Sequence, residues 1–236
     1  MTMTSDRLIR VLCPVAGVLL TAAMVLIFFW VPTDADQGIS QRIFYLHVPV
    51  ALISYLYLGV GACYAVRYLR RRDPRDDLRS YVGVHAGVTW GTLVLLTGPI
   101  WAKKSWGVWW RWDDQQLNTF LIIFLFYCAY FMLRFSLDNG PRRAAFSAAY
   151  AIFGIAMVPL SIVAVHLGQS LLHPQLFDNG RSAMEGTMWV TFLISLLGVL
   201  SLSVVMYQVE LRSKLVAQRV DRLVRRGRGE HVLDPA

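Results

Sequence analysis

The sequence predicts an all-α, polytopic integral membrane protein with six transmembrane helices and both termini in the cytoplasm. Three observations predict it: an apolar composition, six long runs without a formal charge, and a one-sided distribution of Lys and Arg. Of 236 residues, 56% are hydrophobic and 16% charged, with a mean hydropathy of +0.48. Soluble domains are apolar over roughly 45–50% of their residues and charged over about 25%.

The six runs are Val11 to Val31, Val48 to Val66, Ser80 to Trp101, Leu117 to Leu133, Ala144 to Val165, and Gly186 to Val209. Crossing the hydrocarbon core takes about 20 apolar residues in a helix. Five runs meet that length; the fourth, with 17 residues, borrows from its flanks. The first run follows Arg7 and Arg10 as a secretory signal would. It is too long for one and ends without a small-x-small cleavage site, so it reads as a retained anchor. The second opens beside His47 in His-Val-Pro, where a polar cap followed by proline in the first turn suits a helix start.

Orientation follows from the cations. With both termini inside, the inner segments hold 18 of the 23 Lys and Arg residues. The outer loops keep only Arg42, Lys103, Lys104, Arg111 and Arg181. The positive-inside rule asks for such a bias, so the net charge of +8 reports topology and requires no nucleic-acid partner. The chain divides into a membrane domain over 1–210, with an outer loop at 101–116, and a basic cytoplasmic tail over 211–236. That tail is amphipathic enough to lie on anionic lipid or to dock a cytoplasmic protein.

The outer loop reads Ser-Trp-Gly-Val-Trp-Trp-Arg-Trp-Asp-Asp from Ser105 to Asp114, four tryptophans in seven residues. Indoles at this density cover a flat apolar ligand at low entropic cost and keep their N–H groups for hydrogen bonds. An interfacial belt is the plainer reading: if Ser105 to Trp112 is helical, Trp106, Trp109 and Trp110 share one face. Asp113 and Asp114 precede the fourth helix and suit its N-terminus. The same topology puts His47, His166 and His173 outside. His85 lies near the inner end of the third span, and His231 in the tail.

Several function classes are excluded. Cys13, Cys63 and Cys128 are isolated within spans, without Cys-x-x-Cys or Cys-x-x-Cys-His, so neither thiol exchange nor covalent haem attachment is offered. The outer histidines lack zinc-ligand spacing. No phosphate-binding glycine loop is present. The six runs contain no Asp, Glu, Lys or Arg, which argues against an ion or proton relay. What suits outer histidines, an indole platform and nearby cations is an iron porphyrin: imidazole ligates iron, aromatic rings cover the disc, and Arg or Lys pairs with propionates. A helical Pro159 to Leu172 would separate His166 and His173 by about 10.5 Å along the axis. One helix then cannot ligate both faces of one iron, so His47 would pair with either His166 or His173. A permease subunit of an exporter driven by an ATP-binding-cassette ATPase, or a structural scaffold for that ATPase, are the other readings.

Arg-Ile-Phe-Tyr-Leu-His-Val-Pro (Arg42 to Pro49) and the segment from Leu96 to Asp113 resemble the signature segments of the CcmC family of bacterial cytochrome c maturation, within the wider tryptophan-rich WWD group of haem handlers. Length, spans and inward termini agree over nearly the whole chain. The resemblance implies that His47 is one axial ligand of haem b and that a histidine of the third outer loop is the other. It also implies that Trp106, Trp109, Trp110, Trp112 and Asp113 belong to the haem platform. His173 keeps the Leu-His ending of the family's third loop, and His166 is its rival. The family loop usually continues Trp-Asp-x-Arg-Leu-Thr, whereas this chain has Trp-Asp-Asp-Gln-Gln-Leu-Asn, so Arg111 is the candidate for the missing charge. The resemblance further implies a non-enzymatic haem handler in the bacterial inner membrane, with its haem site on the periplasmic side. It would sit with an ATPase, a membrane subunit and a small single-span subunit of the CcmA, CcmB and CcmD types. Haem would pass to a periplasmic chaperone of the CcmE type.

Overall fold

The computed structural model describes residues 2–35, 37–160, 163, 177–178, 181–182, 184 and 186–228. Among the described residues, six helices form a bundle: α1 (Thr2–Phe29), α2 (Phe44–Arg71), α3 (Pro74–Trp106), α4 (Gln115–Ser136), α5 (Pro141–Ile155) and α6 (Gly186–Gly227). A 3-10 turn, Ile39–Ile43, leads into α2. The segment between α5 and α6 carries a two-residue antiparallel ladder, β1 (Phe177–Asp178) with β2 (Arg181–Ser182), the one strand pair among the described residues. Five of these helices are long and apolar enough to cross a membrane, with α5 extending to Leu160 for this purpose. The chain is thus a multi-pass membrane protein. α3 is long enough but less apolar, and among its buried residues Ser80, Gly83, Gly87 and Gly91 are interspersed with Val82, Val84 and Val94.

Local chemistry sets the ends. The α2–α3 turn places Arg72 in the left-handed conformation, its N–H bonded to the Tyr68 carbonyl at 2.7 Å. Asp73 then caps α3 by accepting from the Arg75 N–H at 2.8 Å, with Pro74 at the first helical position. Asp114 caps α4 in the same way, accepting from the Leu117 N–H at 3.0 Å. α4 spans 22 residues, so the short fourth run does borrow its flanks.

The closest packing is between α2 and α3, which run antiparallel in a constant register. A Cβ on Gly83 would lie 2.7 Å from the Gly61 backbone nitrogen, and one on Gly87 2.6 Å from Leu58. Glycine at these positions lets the backbones touch, the small-residue packing that membrane helices use. Two serines bond across the seam: Ser80 donates to the Gly61 carbonyl and Ser54 to the Gly87 carbonyl, both at 2.8 Å. Toward the C-terminal end of α3 the register continues through Ser54 and Gly91, His47 and Gly98, Phe44 and Trp101, and finally Ser40 and Ser105.

α6 closes the bundle against α1, α2 and α3. Pro49 has no N–H, so the Tyr45 carbonyl one turn earlier lacks its helical donor. The buried Ser195 hydroxyl of α6 donates to that carbonyl. At the end of the bundle opposite the tryptophan-rich loop the cations are interlocked. Arg134 makes two 2.8 Å bonds to Asp77, while Arg67 and Arg79 both meet the buried Asp76. α6 runs for 42 residues as one helix, passing position 210 without a break.

Candidate functional site

The segment between α1 and α2 folds onto the end of α3. Asp34 accepts from the Gln37 N–H at 2.7 Å and, through its carbonyl, from the Gly38 N–H at 3.0 Å, closing a tight turn. Gln37 then accepts a 3.0 Å bond from the indole N–H of Trp101. Ser40 donates its hydroxyl to the Gln37 carbonyl at 2.7 Å and so accepts from Ser105 at 2.9 Å. These contacts deliver the chain into α2 with a fixed rotation.

That rotation sets His47. α2 already begins at Phe44, so His47 and Pro49 lie inside the helix and not at its cap. The half-buried imidazole lies against α3. Its Nδ1 is 2.8 Å from the Thr97 hydroxyl oxygen, and its ring meets that of Trp101 edge-on at 5.6 Å. A Cβ on Gly98 would stand 3.2 Å from its Cε1. Trp101 is itself buried and edge-on to Phe44 at 6.3 Å.

The tryptophan-rich loop continues from this point. α3 stays helical through Trp106 and closes at Gly107, which is left-handed with φ 78°. The loop proper is therefore 107–114, shorter than the 101–116 expected. Because the helix stops there, the shared face proposed for Trp106, Trp109 and Trp110 does not form. The ring of Trp110 sits 5.9 Å from that of Trp112, and its N–H reaches Asn118 at 3.4 Å. Asn118 in turn donates to the Trp112 carbonyl. Trp109 and Trp112 are 60% and 75% exposed, an apolar area of a size that ordinarily meets lipid or a ligand.

The two aspartates have separate tasks: Asp114 caps α4, whereas Asp113 receives both a 3.0 Å and a 2.5 Å bond from the Arg111 guanidinium. That hydrogen-bonded pair holds the Asp113 carboxyl below the usual carboxylate range and raises the Arg111 guanidinium. The guanidinium proposed to meet a propionate is thus already paired. Lys103 donates to the Gly107 carbonyl at 2.8 Å. Arg42 lies over the Phe28 ring at 5.8 Å, and its buried Nε has no hydrogen-bond partner among the described residues.

His166, His173 and His231 lie outside the described residues, as does most of the segment between α5 and α6. His85 is placed: its Nδ1 is 2.9 Å from Glu210 and its ring stacks on Tyr81. Among the described residues no three His, Cys, Asp or Glu side chains gather as a metal cluster. Residue-type reasoning missed Thr97, Gly98, Trp101 and Gln37. A signal for them exists, since Gly83, Gly87, Gly91 and Gly98 recur at spacings of four, four and seven and mark the α3 face that meets α2.

These features define a multi-pass helical membrane protein that presents one histidine, seated against a neighbouring helix, and a tryptophan-rich loop at the same end of its bundle. A family model described as CcmC, heme exporter protein C, matches residues 1–226. The chain belongs to that family. It is 27% identical over 227 residues to heme exporter protein C of Rhodobacter capsulatus, covering 95% of this chain and 93% of that protein. It is 30% identical over 189 residues to heme exporter protein C of Escherichia coli K12, covering 75% of each. A Marchantia polymorpha protein named as ccmC-like and mitochondrial, in cytochrome c biosynthesis, is 25% identical over 199 residues, 84% of each chain.

Proposed function

We propose that this protein binds haem b at the outer face of the bacterial inner membrane and delivers it to a periplasmic haem chaperone of the CcmE type for cytochrome c maturation. The observation that carries the reading is the seating of His47 on α3, directly below the loop that exposes Trp109 and Trp112. From Gly98 to Gly107 is roughly 13 Å along the helix axis, so one side of the bundle offers a nitrogen ligand and an indole surface within a porphyrin's reach. Membership of a family named for heme export supports haem as the cargo.

The donor set fits that cargo. His47 supplies one axial imidazole, and His173 supplies the other, with His166 as its competitor. Trp106, Trp109, Trp110 and Trp112 form the platform, and Asp113 fixes Arg111 within it. Arg42, with an unpartnered buried Nε, is the cation best suited to a propionate, ahead of Arg111 and Lys103, which are engaged. Two axial nitrogens leave iron no open position for oxygen, which suits a carrier more than a catalyst. The architecture that goes with this reading has six spans including α3, both termini cytoplasmic, a membrane domain over 1–210 and a basic tail over 211–236. Partners of the CcmA, CcmB and CcmD types complete the assembly.

Absorption spectra of the purified protein test the proposal. The wild type shows a low-spin, six-coordinate haem spectrum that His47→Ala and His173→Ala each abolish, while His166→Ala retains it. A colourless wild type that still supports cytochrome c maturation overturns haem binding. Loss in His166→Ala with retention in His173→Ala transfers the second ligand.

A further inference from the structure

Thr97 has a single hydroxyl proton, and its location decides the chemistry of His47. The Thr97 oxygen stands 2.8 Å from the Leu93 carbonyl oxygen, one turn earlier in α3. Two oxygens at that separation repel unless a proton lies between them, and a carbonyl can only accept. The hydroxyl proton is therefore directed at Leu93. At 2.8 Å from Nδ1 of His47, the same oxygen is left with lone pairs alone, so Nδ1 must bring the proton. A neutral imidazole carries one proton, and Nε2 then holds the lone pair that ligates a metal.

We infer that Thr97 is a positioning residue that sets His47 in the Nδ1-protonated tautomer and aims Nε2 for iron. The inference rests on the proposed role of His47 as an axial ligand. Contacts with α3 hold the ring. Thr97 binds its Nδ1, Trp101 meets it edge-on, and bare Gly98 admits its Cε1 to 3.2 Å from where a Cβ would stand. Metal-bound histidines generally donate their second nitrogen to a fixed acceptor, which selects the tautomer and the ring angle. Here the acceptor is a helix hydroxyl whose own proton is fixed by the backbone, so no carboxylate is needed within the span.

Nitrogen NMR of the full-length, haem-free protein in lipid nanodiscs, labelled at histidine and assigned with His47→Gln, reads the tautomer without haem. The wild type and Thr97→Ser give a protonated Nδ1 and an unprotonated Nε2. Thr97→Val, of equal volume but without the hydroxyl, moves His47 toward the opposite tautomer or a mixture. Titration of the same apoproteins with hemin gives the second readout. Thr97→Val binds about 10- to 100-fold more weakly, the range for loss of an outer-shell partner, and Thr97→Ser stays close to wild type. A wild-type His47 protonated at Nε2 overturns the inference even where His47→Ala abolishes the haem spectrum. A haem spectrum that survives His47→Ala overturns the ligand role instead, and the NMR result stands apart from it. Unchanged hemin affinity in Thr97→Val overturns the positioning role whatever the tautomer.

Discussion

Replacing Asp77 with alanine is expected to cost far more than deleting an exposed ion pair of the same bundle. Arg134 and Asp77 make two 2.8 Å bonds, and their side chains are only 6% and 15% exposed. The guanidinium also lies 4.9 Å over the Tyr81 ring, so it has no water to fall back on when the carboxylate is removed. An uncompensated buried charge costs about 3–5 kcal/mol, which is roughly two to four decades in the folded-to-unfolded ratio. The internal control is Asp221→Ala, which breaks the Arg225 pair on the far end of α6, where both side chains are more than half exposed. Exposed pairs at this helical spacing contribute about 0.3–0.5 kcal/mol. The two deletions therefore differ nearly tenfold in free energy for the same formal change. Unfolding by sodium dodecyl sulfate in mixed micelles, followed by circular dichroism, measures both. The double variant Asp77→Leu with Arg134→Met recovers most of the loss, because apolar replacement of a whole buried pair is close to neutral. An Asp77→Ala cost no larger than that of Asp221→Ala refutes the reasoning, as does a double variant as unstable as the single one.

Two further outcomes concern the tryptophan loop. The Asp113 carboxyl is held below its ordinary range by Arg111, so the contribution of that bond is fully present above the unfolded carboxylate pKa of about 3.9 and is lost as pH falls through the lowered one. Loop tryptophan emission should accordingly stay flat from pH 7 to pH 4 and change only below that. In Arg111→Gln the change moves up into the ordinary carboxylate range, and an identical profile in both proteins contradicts the assignment. Asp114→Ala removes the α4 cap and should lower stability by about 1 kcal/mol in the same detergent titration, with Asp114→Asn recovering most of it. An alanine variant as stable as the wild type shows that the cap is dispensable.

Hydropathy made most of the bundle legible, because a lipid-facing helix advertises itself by excluding charge. α3 is the instructive case. It was readable as a charge-free run from Ser80 to Trp101, yet its apolarity is diluted by the glycines and serines that let it approach α2. His47 and the tryptophans were legible by residue type and spacing. Their neighbours were not, since threonine and glycine in a membrane helix carry no chemistry until the opposing helix is known. Recurrence of Gly83, Gly87, Gly91 and Gly98 holds that information, but only as a register between two helices. The loop length was misjudged for a related reason: Trp101 to Trp106 satisfy an aromatic-loop pattern and a helix equally well, and the ties from Gln37 and Ser40 hold them in the helix. The inner arginines read as topology signals, while Arg134, Arg67 and Arg79 also serve as fasteners to Asp77 and Asp76.

Most helix pairs are held apart by side chains, which act as compressible spacers and settle slightly differently as rotamers exchange. The seam of α2 and α3 has no such layer where Gly83 meets Gly61, and there backbone rests on backbone. Its spacing is therefore a property of covalent geometry, insensitive to rotamer exchange. His47 and Thr97 sit at the tryptophan-loop end of that seam on opposite helices, so the gauge between them is machined into the chain instead of adjusted after folding. A substitution at Gly83, some 21 Å away along the helix, is consequently a change in the tolerance of the histidine site.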